Sequence, residues 1–273
     1  MPFSKLDGGD IYYELHGPSM GSESLPIVVL RPFSRGPVGI QPFIDQLAQH
    51  HPVIKYDQRG IGKSPPYQLP GPVPMSGRAS EVFELLESLQ VAKAHVVCHS
   101  TGCGIGLSMI AAHPERVATI TLVSPWTHAD PHLLRTQNLR IAAARVLSPA
   151  DYFRFNVSLL YPPDYRRAHE EGFAAMELAT KDTSVDADFI ANGLIPILAF
   201  DSREIMPLIS CPTLIVVGND DQLMPPWFGR SMAQDIRLSE LVEFDGAGHM
   251  ILETRPEELA AQMNAFINAS DRH

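Results

Sequence analysis

Apolar and polar positions along the chain follow two alternating rhythms. Short uninterrupted apolar runs, rich in β-branched residues, recur at 27–30 (IVVL), 52–57 (PVIKYD), 95–97 (HVV), 116–125 (RVATITLVSP) and 211–221 (CPTLIVVGNDD). Such runs predict strands buried on both faces of a sheet. Between them, apolar residues at three- and four-residue spacing predict helices over 40–50, 76–91, 226–236 and 255–269. Residues 10–16 (DIYYELH) read as a first edge strand and 241–246 (LVEFDG) as the last one. Ser76 is the expected cap of the second helix. The Pro- and Gly-rich stretches 31–37 and 65–74 read as surface loops. Strand–helix–strand alternation implies a mostly parallel sheet with right-handed crossovers and helices on both faces, an α/β fold.

From Trp126 to Ser210 the alternation stops. Four helical patches fill this segment (133–147, 150–160, 165–179 and 186–200), with no convincing strand. A helical insertion between two strands predicts a lid over the sheet, with Trp126 at its hinge. The expected division is therefore a core of 1–125 and 211–273 and a helical cap of 126–210, inserted before the strand that ends in acids. A chain of 273 residues with 45% hydrophobic content and a mean hydropathy of −0.02 suits one large soluble domain so decorated.

Charge and cysteine content narrow the partners. Twenty-one basic against 31 acidic residues give a net charge of −10, and no basic cluster occurs, which argues against nucleic acid and anionic membranes. No apolar run reaches membrane-spanning length, and the first residues lack the apolar stretch of a secretory signal. Cys98, Cys103 and Cys211 are odd in number and lack metal spacing, as expected of reduced thiols in a cytoplasmic protein. Eleven histidines form no HExxH or clustered arrangement, so neither a metal nor a cofactor is expected. The partner is a small-molecule substrate, and the apolar lid leaves a homodimer open.

The chemistry centres on residues 94–106, AHVVCHSTGCGIG. A strand, a tight turn at Ser100 and a glycine-rich helix start would hold the Ser100 hydroxyl out above the sheet, over helix N–H groups. A serine nucleophile needs a histidine to take its proton and a carboxylate to orient that histidine. In a parallel sheet these sit on loops at the carboxyl ends of strands. Asp220 and Asp221 follow one such strand, and His249 follows the last strand in GAGH. The order Ser, Asp, His matches one known arrangement of such triads. His99, beside the nucleophile, reads as a backbone-fixing or core residue rather than a base, since one general base suffices. Cys103 reads as packing. The turn DQRGIGKS (57–64) lacks P-loop spacing and reads as structural, and the glycines at 102, 104 and 106 miss the GxGxxG spacing of a dinucleotide-binding turn.

With YDQRGIGKS, CHSTG, GNDD followed by two prolines, and GAGH, the chain resembles α/β-hydrolase fold enzymes over nearly its whole length. The cap, with Trp126, His132, Arg135 and LLYPPDY (159–165), is similar to that of the aminoacrylate hydrolase and 3-oxoadipate enol-lactonase group, which act on small carboxylates. The resemblance implies Asp221 as the triad acid, with Asp220 as the fallback. It implies an oxyanion hole from the backbone N–H groups of Phe33 and Thr101, each typically contributing about 3 kcal/mol. Arg31-Pro32 stands where the family has His-Gly, and Cys98 where it has glycine. Arg31 is then expected either to grip a substrate carboxylate or to pair with an acidic loop residue. Trp126 is either a substrate wall or core packing, and His132 and Arg135 either line the pocket or lie exposed.

The implied activity is cofactor-free hydrolysis through an acyl-enzyme of an ester, lactone, thioester or amide/enamide bond in a small carboxylate-bearing substrate. Two alternatives keep the fold. One is C–C bond hydrolysis of a diketo acid, and the other is ligand sensing without turnover.

Overall fold

The computed structural model describes residues 3–22, 24–33, 39–68, 71–180 and 182–270. Of the expected surface loops, Ser34 to Pro37 and residues 69–70 lie outside this set. Eight strands form the sheet: β1 (Phe3–Leu6), β2 (Gly9–His16), β3 (Ile27–Leu30), β4 (Val53–Tyr56), β5 (Ala94–His99), β6 (Val117–Val123), β7 (Thr213–Gly218) and β8 (Ser239–Phe244). Around them the chain winds α1 (Gln41–Leu47), α2 (Met75–Ser88), α3 (Thr101–Ala112), α4 (Pro131–Val146), α5 (Pro149–Leu160), α6 (Pro163–Ala168), α7 (Glu170–Ala179), α8 (Ala187–Ala199), α9 (Trp227–Asp235), α10 (Ile251–Thr254) and α11 (Pro256–Ser270).

Strand order is β1-β2-β4-β3-β5-β6-β7-β8, antiparallel at β1/β2 and β2/β4 and parallel from β4 onward. Successive side chains of a strand point to opposite faces, and both faces are covered. Ile27, Val29, Val53, Val97, Val123, Leu214 and Val216 pack with residues of α1 and α11. Their neighbours Val28, Leu30, Ile54, Val96, Ile120, Leu122, Ile215 and Val217 pack with α2, α3 and α9. That is why these strands read as unbroken apolar runs.

Two expectations need correction. The edge strand is β1 rather than 10–16, because Asp7-Gly8 makes a two-residue turn that folds Phe3–Leu6 back onto β2. The second helix starts at Met75 with Pro74 as its cap residue, and no side chain caps it. Pro74 holds φ at −64°, so the helix begins ahead of Ser76.

Between β6 and β7 the described residues form the five helices α4 to α8 and one short 3-10 segment (Met206–Leu208), with no strand. Local chemistry starts three of these helices. Asp130, Ser148 and Asp186 each accept from the backbone N–H three residues on, and Pro131 and Pro149 occupy first helical positions.

Cys98, in the place of the family's glycine, is accommodated from below. It is wholly buried, and a Cβ on Gly106 of α3 would lie 2.3 Å from its Sγ. The small residue has moved from strand to helix. Gly106→Ala is therefore expected to destabilise the fold by about 1–3 kcal/mol. Adding Cys98→Ala should recover part of the loss, a coupling measurable in urea unfolding of the single and double variants.

Candidate active site

The turn after β5 puts Ser100 at φ 53° and ψ −119°, a left-handed conformation that costs a non-glycine residue about 1–3 kcal/mol. Surrounding bonds hold it there. The Ser100 N–H donates to Val123 O at 2.9 Å, and Ser100 O accepts from the Cys103 N–H at 2.7 Å. Asp221 follows β7 and His249 follows β8, so the parallel register brings three strand ends together.

His249 Nδ1 lies 2.8 Å from Asp221 Oδ2, and its Nε2 lies 2.9 Å from Ser100 Oγ. A carboxylate accepts, so Nδ1 carries the proton, and the Nε2 lone pair is left to accept from the serine hydroxyl. Asp221 is buried, and its Oδ1 accepts from the N–H groups of Leu223 and Met224 at 2.9 and 2.8 Å. Asp220 is exposed, and among the described residues its side chain makes no hydrogen bond, while its backbone N–H donates to Ala247 O at 2.9 Å. The fallback acid is therefore out of place.

The backbone of His249 is clamped from three elements. Its carbonyl accepts from His99 Nε2 at 2.8 Å and from Ser124 Oγ at 3.3 Å, and its N–H donates to Leu160 O at the end of α5 at 3.0 Å. Gly248 permits that approach, because a Cβ there would lie 2.7 Å from Pro162 Cδ and 2.8 Å from Leu160 O.

Ser100, Thr101 and His249 open into a cavity of about 370 Å³ between sheet and cap. Its walls are mainly apolar, with Phe153, Leu160, Phe173, Met176 and Ile190 from the cap and Pro32 and Phe33 from the core. Among the described residues, no acceptor takes the backbone N–H of Phe33 or Thr101.

The structure corrects two expected substrate contacts. Arg31 does not line the cavity. Its Nη2 donates to Asp57 Oδ1 at 2.5 Å, and the other oxygen of Asp57 accepts from the Lys63 N–H at 3.0 Å. The turn DQRGIGKS is thus built around the carboxylate that claims Arg31. Trp126 is fully buried, donates from Nε1 to Ile197 O at 3.2 Å and packs against Phe200, so it is core and not a cavity wall. His132 donates to Gln222 O at 3.0 Å, stacks edge-on against Trp227 and lies outside the cavity, and Arg135 is exposed. Cys103 is buried and directs its thiol at Val123 O and Cys98 O.

Sequence reasoning passed over one polar group in the cavity. Arg140 of α4 donates from Nε to Asn156 Oδ1 and from Nη1 to Gln137 Oε1, both at 3.0 Å. All three residues line the cavity. They belong to no motif, and the i, i+3 spacing of Gln137 and Arg140 on a predicted helix is the only signal the sequence offers. Among the described residues no group of three or more His, Cys, Asp or Glu is placed to hold a metal, and no helix is long and apolar enough to cross a membrane.

Burial, and then the neighbouring His249 ring, push the pKa of His99 down to about 3. The folded chain keeps this imidazole neutral, while the unfolded chain protonates it below about pH 6.5. The resulting stability is full above that pH and is lost as pH falls toward 3, at about 1.4 kcal/mol per pH unit. His99→Gln retains a donor for His249 O and removes the titration. It is expected to flatten stability against pH between about 6 and 4 by that slope. Urea unfolding across this range checks it, and equal slopes in the two proteins would refute the assignment.

Comparison with known proteins agrees with this geometry. The model of the alpha/beta hydrolase family matches residues 15–262. A putative carbamate hydrolase RutD from Azorhizobium caulinodans is 30% identical over 277 residues, covering 100% of both chains. One from Caulobacter sp. is 27% identical, covering 98% of each. Among solved structures, MGS-M2, an alpha/beta hydrolase enzyme from a Medee basin deep-sea metagenome library, superposes with a TM-score of 0.89. It is 21% identical, with 97% of each chain covered. The enol-lactonase from Burkholderia xenovorans LB400 superposes with a TM-score of 0.82 at 22% identity, covering 98% of this chain and 100% of its own. At those identities the two structures speak for the fold alone. With a family model spanning most of its length, and serine, acid and histidine at the strand ends, this chain is an alpha/beta hydrolase, a member of that family.

Proposed function

We propose that the protein is a serine hydrolase that cleaves an ester, lactone, thioester, carbamate or amide bond of a small substrate through an acyl-enzyme. The observation that carries this reading is the unbroken hydrogen-bond chain from Asp221 through His249 to Ser100, ending in a mostly apolar cavity. Ser100 Oγ attacks the acyl carbon, and its proton passes to His249 Nε2. Asp221 holds the proton on Nδ1 and stabilises the imidazolium that forms. The backbone N–H groups of Phe33 and Thr101 receive the oxyanion. His249 then protonates the leaving group, which departs. Water, deprotonated by the same imidazole, attacks the acyl-enzyme and restores Ser100. No cofactor enters this cycle.

The RutD relatives are named as putative carbamate hydrolases, which makes carbamates the first substrates to test. The cavity's size suits a metabolite-sized molecule. Cys98, Cys103 and Cys211 are free, in keeping with a reducing compartment such as the cytoplasm.

A fluorophosphonate probe is expected to add once to the wild-type chain and not to Ser100→Ala, read by intact mass. Absence of the adduct on folded wild type would overturn the reading. Ser100→Ala should lower kcat for 4-nitrophenyl acetate by about 10⁴-fold or more, and Asp221→Asn by about 10³–10⁴-fold, both measured in steady-state kinetics.

A further inference from the structure

The cavity contains one cation whose charge nothing compensates. Among the described residues that line it, Arg140 is the single Arg or Lys. Its two bonded nitrogens meet the amide oxygens of Asn156 and Gln137, which are neutral. Those amides are themselves oriented. Asn156 Nδ2 donates to Tyr152 O at 2.7 Å, so its oxygen must face the guanidinium. Gln137 is wholly buried, and its Nε2 has no partner among the described residues. Its oxygen is fixed by Arg140, and the buried amide as a whole holds the guanidinium in place. Asp186, the one acid in the lining, accepts from the Phe189 N–H at the start of α8. No carboxylate contributes to the electrostatics of Arg140, where burial and then the Tyr152 phenol are the causes at work. Burial favours loss of that charge, whereas a bound anion would favour keeping it.

With Nε and Nη1 held by neutral oxygens, Nη2 bonds to nothing among the described residues and keeps its donors, with the second Nη1 hydrogen, for a carboxylate. One uncompensated cation matches a singly charged carboxylate. A phosphate dianion would need a second cation that the lining lacks. Arg31, the residue expected from sequence to do this, is already neutralised by Asp57.

We propose that Arg140, aimed by Gln137 and Asn156, is the specificity-determining residue that anchors a carboxylate of the substrate, while Ser100 attacks an acyl carbon elsewhere in the same small molecule. This rests on the reading of the cavity as the acyl-transfer site.

The test compares two isosteric esters, mono-4-nitrophenyl succinate and 4-nitrophenyl 4-methylpentanoate, on wild type, Arg140→Gln, Arg140→Lys and Arg31→Ala. For Arg140→Gln the ratio of kcat/KM for the charged over the neutral ester is expected to fall about 100-fold, mostly through KM. Arg140→Lys keeps charge but loses the fork, and should fall about tenfold. Arg31→Ala should change both esters equally. Succinate should inhibit hydrolysis of the neutral ester by the wild type competitively, and succinamide should not, a readout that needs no folded variant. Equal losses on both esters in the Arg140 variants, a selectivity change at Arg31 instead, or no inhibition by succinate would overturn the anchor. If wild type also takes no fluorophosphonate adduct, the acyl-transfer reading falls and the anchor with it. An adduct together with equal losses removes the anchor alone.

Discussion

One imidazole has to meet an oxygen on each side, and most of the architecture serves that requirement. His249 reaches Asp221 at 2.8 Å and Ser100 at 2.9 Å, although the three residues lie at the ends of three different strands. Such closeness is possible because β5, β6, β7 and β8 run parallel, side by side, with their carboxyl ends at one edge. A parallel sheet in turn demands helical crossovers and apolar cover on both faces. The two clusters on either side of the sheet are thus the precondition for a hydrogen-bond chain a few ångströms long. The strained backbone of Ser100 is the local cost of exposing its hydroxyl, and the bonds to Val123 and Cys103 offset it.

The sheet and the three chemical groups were legible in the sequence because each obeys a strong local rule. Strands buried on both faces must be apolar throughout, and Ser100, Asp221 and His249 stand directly after such strands. The hairpin at Asp7-Gly8 was equally legible in principle, but a short strand with one exposed face leaves little apolar pattern. The cap was legible as helices and illegible as a wall. The buried residues of α4 are Leu133, Gln137, Ala143 and Ala144, so no large apolar stripe marks which side faces inward. Without that stripe, Arg135 and Arg140 look alike in sequence. Rotation about the helix axis, set by packing, puts one in solvent and the other in the cavity.

Arg31 and Arg140 show how context sets what an arginine can do. Arg31 lies next to the expected oxyanion loop, yet the carboxylate that directly follows the facing strand satisfies it, and both are fixed as scaffold. Arg140 is farther along the chain and held by amide oxygens alone. Neutral partners give it direction without cancelling its charge. Nearness to the expected oxyanion loop is a poor guide to such a difference. The identity of the hydrogen-bond acceptor is a better one.

The contact between α5 and the loop before His249 has a consequence for how enzymes of this build can diverge. Leu160 O takes the His249 N–H, and Pro162 packs where Gly248 has no side chain. These residues are therefore structurally joined to His249. Exchanging caps between relatives, a direct way to change substrate range, would have to carry the 160–162 corner along with residues 248–249. A change at the α5 corner therefore reaches His249 directly, through its backbone N–H.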